Sequence, residues 1–234
     1  MIPLGILASS VRRASAGAND PYWDNVVALL HFDGDLTDET GRVWGVIGNP
    51  SFEHVEPIYG TGSFKTNGKE AAETANHGLI NNNNDPYCIE FTFKAVSLDT
   101  FGVLNPLFWC YSSGGYGDSL IGINSSSGLR IQLHSGANSW ILAESLAPIT
   151  IGVKYHLAIT YDGSDLRVFL DGVLVYIGVG IKIQTPTSPL RFGTAGEGSY
   201  MQGSNHIYDE LRITKGVARY TEDFTPPTEP FPNQ

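Results

Sequence analysis

A chain of 234 residues is long enough to bury a full core without disulfide staples, and its 27 Gly, 13 Pro, 11 Tyr and 11 Phe suit short strands and many turns better than helices. The net charge of −10, with Arg12-Arg13 as the densest basic group, excludes the phosphate-tracking clusters of a nucleic-acid binder. No apolar run reaches the roughly 18–20 residues that a membrane-spanning helix needs.

Residues 1–23 read as an extended arm. The apolar stretch Ile2–Ala8 precedes Arg12 and Arg13, the reverse of the order in a secretory signal, so a cleaved leader is not expected. Val26–Phe32 is apolar on both faces, as in a strand covered on both sides. The acidic stretch FDGDLTDETG (residues 32–41) follows. Short strands are predicted at Val43–Ile47, Ser51–Val55 and Ser63–Thr66, and Glu70 and Glu73 are placed in a loop. Tyr87–Val96 alternates: Ile89, Phe91, Phe93 and Ala95 face one way, Glu90, Thr92 and Lys94 the other, which predicts a half-buried strand.

Leu107–Tyr111, Leu120–Asn124, Leu129–His134 and Ser139–Ala143 continue the series at the spacing of about 8–12 residues that marks a sandwich. Cys88 and Cys110 fall inside strands and read as two buried thiols rather than a bridge. His156–Tyr161, Asp165–Leu170 and Val173–Val179 make three antiparallel strands, with Asp171-Gly172 supplying the positive φ angles of a two-residue hairpin turn. In Ile207–Ile213 a period of two puts Ile207, Asp209, Leu211 and Ile213 on one face, which sets a carboxylate among core residues. Four prolines keep residues 221–234 extended. The fold class is all-β, a two-sheet antiparallel sandwich.

The run HLAITYDGSDLRVFLDGVLV (156–175) resembles the core hairpins of laminin-G-like, concanavalin A-like domains. IYDELRITKGVARY (207–220) resembles that family's last core strand, and LHFDGDLTDETG (30–41) its first strand and acidic loop. The resemblance implies a jelly roll over residues 24–220, between an N-terminal arm (1–23) and a C-terminal tail (221–234). Both ends, with DPYWDNV and RYTEDFTPPTEPFP, are similar to copies of this domain in bacteriophage tail and other virion proteins. That likeness implies a non-enzymatic virion structural or adhesion protein in a tail, fibre or capsid decoration. Its arms would dock on other virion proteins, its copies would form a homo-oligomer, and its lectin-like surface would meet host glycan. The alternative is a free carbohydrate-binding module.

Asp33, Asp35, Asp38 and Glu39 crowd within seven residues, and a hard cation takes about 6–8 oxygen ligands. The spacing is not that of an EF-hand, which would need Gly at Asp38 and Glu at Trp44. A buried Asp209 demands a cation, backbone donors or a basic partner. In the resembled family the first and last core strands run side by side and some members hold Ca²⁺ near this corner. The resemblance therefore implies a structural Ca²⁺ shared by Asp33, Asp35, Asp38 and Asp209, against a competing reading of capped turns and a hydrogen-bonded Asp209.

Carbohydrate candidates are Trp109, Tyr111 and Trp140 in or beside the middle strands, and Tyr116 and Tyr200 in Gly/Ser loops. Trp109 and Trp140 are also readable as plain core filling. No Glu-x-Asp-x-x-Glu triplet supplies a glycosidase pair, and the six histidines show no zinc spacing, so catalysis is not expected.

Overall fold

The computed structural model describes residues 19–234 except 76–78, 81–83, 99–103, 113–116, 137–138, 144, 182, 184–188, 197–202 and 204, and leaves out the side chains of 111–112, 117–118, 134–136 and 139–140. Most of the predicted N-terminal arm, residues 1–18, lies outside this set. A 3-10 turn (Trp23–Asn25) leads into β1 (Val26–Leu30), β2 (Gly45–Ile47), β3 (Ser51–Glu53), β4 (Ser63–Lys65) and β5 (Ala71–Thr74). Then come β6 (Tyr87–Ser97), β7 (Leu104–Ser112), β8 (Gly117–Asn124), β9 (Leu129–Gly136) and β10 (Ser139–Ala143). The chain continues through β11 (Lys154–Tyr161), β12 (Leu166–Leu170), β13 (Val173–Gly178), β14 (Leu190–Phe192) and β15 (Asn205–Lys215).

These strands form two antiparallel sheets. One has eight strands in the order β13-β12-β11-β6-β15-β4-β3, with β1 also paired to β15. The other has seven, in the order β10-β9-β8-β7-β14-β5-β2. The predicted alternation of β6 sets the first inner face: Ile89, Phe91 and Phe93 point inward beside Leu157 and Ile159 of β11. Phe108, Ile121, Ile131 and Phe192 answer them from the second sheet, and all are buried in one cluster. Leu157, Val168 and Leu211 share that interior. The Asp171-Gly172 turn has both φ angles positive, 49° and 78°. Cys88 and Cys110 are both buried thiols, not joined in a disulfide.

Two short strands, β5 and β14, lie where no strand was predicted; Glu73, placed in a loop, is in the middle of β5. The predicted face of Ile207–Ile213 is corrected by a bulge. Asp209 pairs with Thr92 but Arg212 with Glu90, so two residues, Glu210 and Leu211, face one, and Glu210 takes φ 51°. The extra residue reverses the alternation. Tyr208 and, beyond the bulge, Leu211 and Ile213 point inward, whereas Asp209 shares the outer face with Thr92.

The C-terminal tail does not project. It straps the outer face of the eight-stranded sheet, because two of its aromatics find apolar seats there. Phe224 stacks on Tyr220 at 3.5 Å and packs edge-on to Phe169, while its N–H donates to Gly172 O at 2.9 Å. Phe231 is buried with Val26 and Leu29, and its ring lies 3.7 Å from the Arg212 guanidinium. Further ties run from Leu174 N to Asp223 Oδ1, from Tyr59 Oη to Pro227 O and from Phe231 N to Glu210 Oε2. The tail's last residue accepts the Asp20 N–H at 2.7 Å.

Beneath the strap, Glu90 takes Arg212 Nε at 2.9 Å and Nη2 at 2.8 Å, and Tyr220 Oη at 2.9 Å. His156 Nε2 lies 3.3 Å away. Asp20 takes Arg212 Nη1 at 2.9 Å and Arg219 Nη2 at 2.7 Å. Desolvation opposes the charge on Glu90, but Arg212, with His156 and Arg219, overrides it and holds the carboxyl well below its ordinary range. Residues 20–25 and 221–234 thus pack against the eight-stranded sheet.

Candidate functional site

With one sheet strapped, the outer face of the seven-stranded sheet is where the side chains form a continuous row. Register alone aligns them: Gly45 pairs with Glu73, Glu73 with Arg191, Arg191 with Trp109, Trp109 with Leu120, Leu120 with Gln132 and Gln132 with Leu142. From Glu73 on β5 to Leu142 on β10 the row crosses five inter-strand spacings, about 24 Å at the usual separation.

The row's polar centre is braced. Arg191 Nε donates to Glu73 Oε2 at 2.8 Å and Nη1 to Gly196 O at 2.8 Å, while the guanidinium sits 4.8 Å from the Trp109 ring centre. Arg130 Nη2 donates to Gln132 Oε1 at 3.0 Å. Leu142 is exposed. At the other end, Gly45 and Glu73 also line an open cleft of about 830 Å³ together with Arg42, Val43 and Pro189. The row is open at its ends, at Glu73 beside the cleft and at Gln132 and Leu142, and buried at Arg191, Trp109 and Leu120 between them; its polar ends suit a ligand rich in hydroxyl groups.

Of the predicted carbohydrate residues, Trp109 is the one whose side chain is described. It neither fills the space between the sheets nor offers a free ring. It packs on the outer face with Leu104, Leu120 and Ala195, 1% exposed. Tyr111 and Trp140 are in β7 and β10, with their side chains outside the described set; Tyr116 and Tyr200 lie outside the described residues. Glu73 and Arg191 were missed because their strands are so short. The Leu190-Arg191-Phe192 alternation before Gly193 was the available signal.

Donors within the protein engage each of the four predicted metal ligands. Asp209 Oδ2 accepts from Ser63 Oγ at 2.6 Å and Tyr59 N at 2.9 Å, and Oδ1 from Glu210 N at 2.9 Å. Burial outweighs these donors and pushes its carboxyl up to about 7. Asp38 accepts from the N–H groups of Leu29 and Thr40 and from Trp44 Nε1. Asp33 accepts from the N–H groups of Thr61 and Gly62, and Asp35 from that of Thr37. Asp33 and Asp209 thus both hold the loop 59–63, Asp38 ties Leu29 to Trp44, and Asp35 caps its own turn. Among the described residues, no three His, Cys, Asp or Glu side chains group as a metal site.

Comparison with known proteins places this architecture. A family model described as the concanavalin A-like lectin/glucanases superfamily, Laminin_G_3, matches residues 65–219. No curated protein matches the chain. Among solved structures, Domain 4 of AbnA, a GH43 extracellular arabinanase from Geobacillus stearothermophilus, in complex with arabinotriose, superposes with a TM-score of 0.64 at 19% identity, over 83% of this chain and 94% of that one. The binding domain of Paraclostridial Mosquitocidal Protein 1 gives a TM-score of 0.65 at 14% identity, over 85% of this chain and 50% of the other. The binding domain of Botulinum neurotoxin DC, in complex with rat synaptotagmin II, gives 0.58 at 16% identity, over 82% and 48%. At such identities the likeness is one of fold.

Proposed function

The chain belongs to the concanavalin A-like lectin/glucanase superfamily, and from that premise we propose that it binds carbohydrate, without turnover, on the outer face of its seven-stranded sheet. The observation that carries this reading is the unbroken row from Glu73 through Arg191 and Gln132 to Leu142. The AbnA domain, which matches over nearly its whole length, is described in complex with arabinotriose. A glycan array followed by titration with arabinotriose tests the reading. Binding that weakens in Arg191→Ala but not in Lys65→Ala, on the opposite sheet, supports it. Silence across the array refutes it.

A narrower reading makes the domain an adhesion or structural component of a phage virion, its copies arranged as a homo-oligomer. Its support is the likeness of both chain ends to those of virion proteins. Since the C-terminal tail is bound to its own sheet, attachment to other virion proteins would fall to residues 1–18. A chain lacking them should fold and fail to enter particles; normal incorporation would refute this reading.

A further inference from the structure

The buried indole of Trp109 is an anomaly on the ligand face. Its Nε1–H is enclosed and meets no hydrogen-bond acceptor among the described residues. Buried polar groups are nearly always paired, so an orphaned donor on a binding surface calls for an acceptor brought from outside. The ring belongs to a small outer cluster with Leu104, Leu120 and Ala195, apart from the main core, so this donor has no part in joining the sheets.

Its neighbours define what kind of acceptor fits. Arg191 lies over the ring and is itself held by Glu73. That pair has no net charge and sets N–H donors beside carboxylate acceptors at adjacent places in the row. Two neighbouring hydroxyls, each both donor and acceptor, complement such a pair; a carboxylate or sulfate ligand would have to compete with Glu73. The chain's net charge of −10 also repels polyanions.

Resting on the glycan-binding reading, we propose that the site selects neutral oligosaccharides. The Arg191–Glu73 pair spans two adjacent hydroxyls, and the guanidinium shifts off the indole so that Trp109 Nε1–H donates to a sugar oxygen. Trp109→Phe is the diagnostic variant because it keeps a ring and deletes the donor. Wild type and variant are titrated with maltotriose, cellotriose and arabinotriose as neutral probes and with sialyllactose and a heparin tetrasaccharide as acidic ones. The ¹⁵N–¹H indole resonance of Trp109 is followed alongside.

A neutral probe should bind and move that resonance, with little change between about 0.05 and 0.5 M salt. Trp109→Phe should lose about tenfold in affinity, one ligand hydrogen bond, while staying folded with an unchanged far-UV circular dichroism spectrum. Unchanged affinity in the variant, or a still resonance, overturns the Trp109 assignment while glycan binding stands. Tighter, salt-sensitive binding of the acidic probes overturns the neutral selectivity. If no probe binds the wild-type protein, the glycan reading and this one fall together.

Discussion

Glu90→Gln is the sharpest perturbation of the strapped face. Glu90 is fully buried and receives two N–H groups of Arg212 at 2.8–2.9 Å and the Tyr220 hydroxyl at 2.9 Å. Two carboxylates, Glu90 and Asp20, balance two arginines in this network. The amide keeps the shape but leaves one positive charge unbalanced, and its NH₂ group meets donors. Removing one partner of a buried pair costs about 3–5 kcal/mol. At about 2–4 °C per kcal/mol for a domain of this size, the melting temperature should fall by about 6–20 °C.

The pH dependence gives a second check. Glu90 has its carboxyl depressed from the ordinary 4.5, so its stabilisation is present above that value and is lost as pH falls below it toward the folded pKa. Wild-type protein should lose stability on acidification more steeply than Glu90→Gln. Melting followed by circular dichroism from neutral pH to about pH 3 measures both effects. A loss under about 1 kcal/mol, or parallel acid slopes, would show that water reaches the network and that the strap does not seal it.

Phe231→Ala should cost about 2–4 kcal/mol by chemical denaturation, since the ring is buried against Val26, Leu29 and Arg212, and limited proteolysis should then clip the tail first. Gly172→Ala should free Phe224 from the sheet, because φ is 78° and a Cβ there runs into Phe224 O; faster amide exchange at Phe224 is the readout. Burial opposes protonation of His31, yet Glu210 and Asn233 lift its pKa from 6.5 to about 9. Its stabilisation is therefore full below 6.5 and lost as pH rises through about 9, a slope that His31→Gln should abolish in melting curves. Millimolar Ca²⁺ should leave the melting temperature within about 1 °C, since Asp33, Asp38 and Asp209 are engaged by N–H and O–H donors; a larger rise would show that they release them.

What the sequence disclosed was local. The Asp171-Gly172 turn and the inward set of β6 follow from φ preference and a period of two, and both stand in the structure. What it concealed depends on distant parts of the chain. Glu90 and Thr92 read as the solvent side of a half-buried strand, yet both are buried, and Glu90 is closed over by Arg212 and by Tyr220, 130 positions away. Asp209 changes faces because a single extra residue at Glu210 shifts the phase, and no Gly marks the site. Arg191 and Glu73 gain meaning when β14 and β5 bring them together from 118 positions apart.

The hydrogen bond between Asp20 and Gln234 has a consequence for mounting the molecule. Asp20 joins Arg212 behind the strapped sheet, so a carrier fused to either side of the 20–234 body holds it by its back. The Glu73–Leu142 row lies on the other sheet and faces away from that anchor. A sensor chip, a bead or a particle bearing many copies moored this way would turn the seven-stranded sheet of each outward.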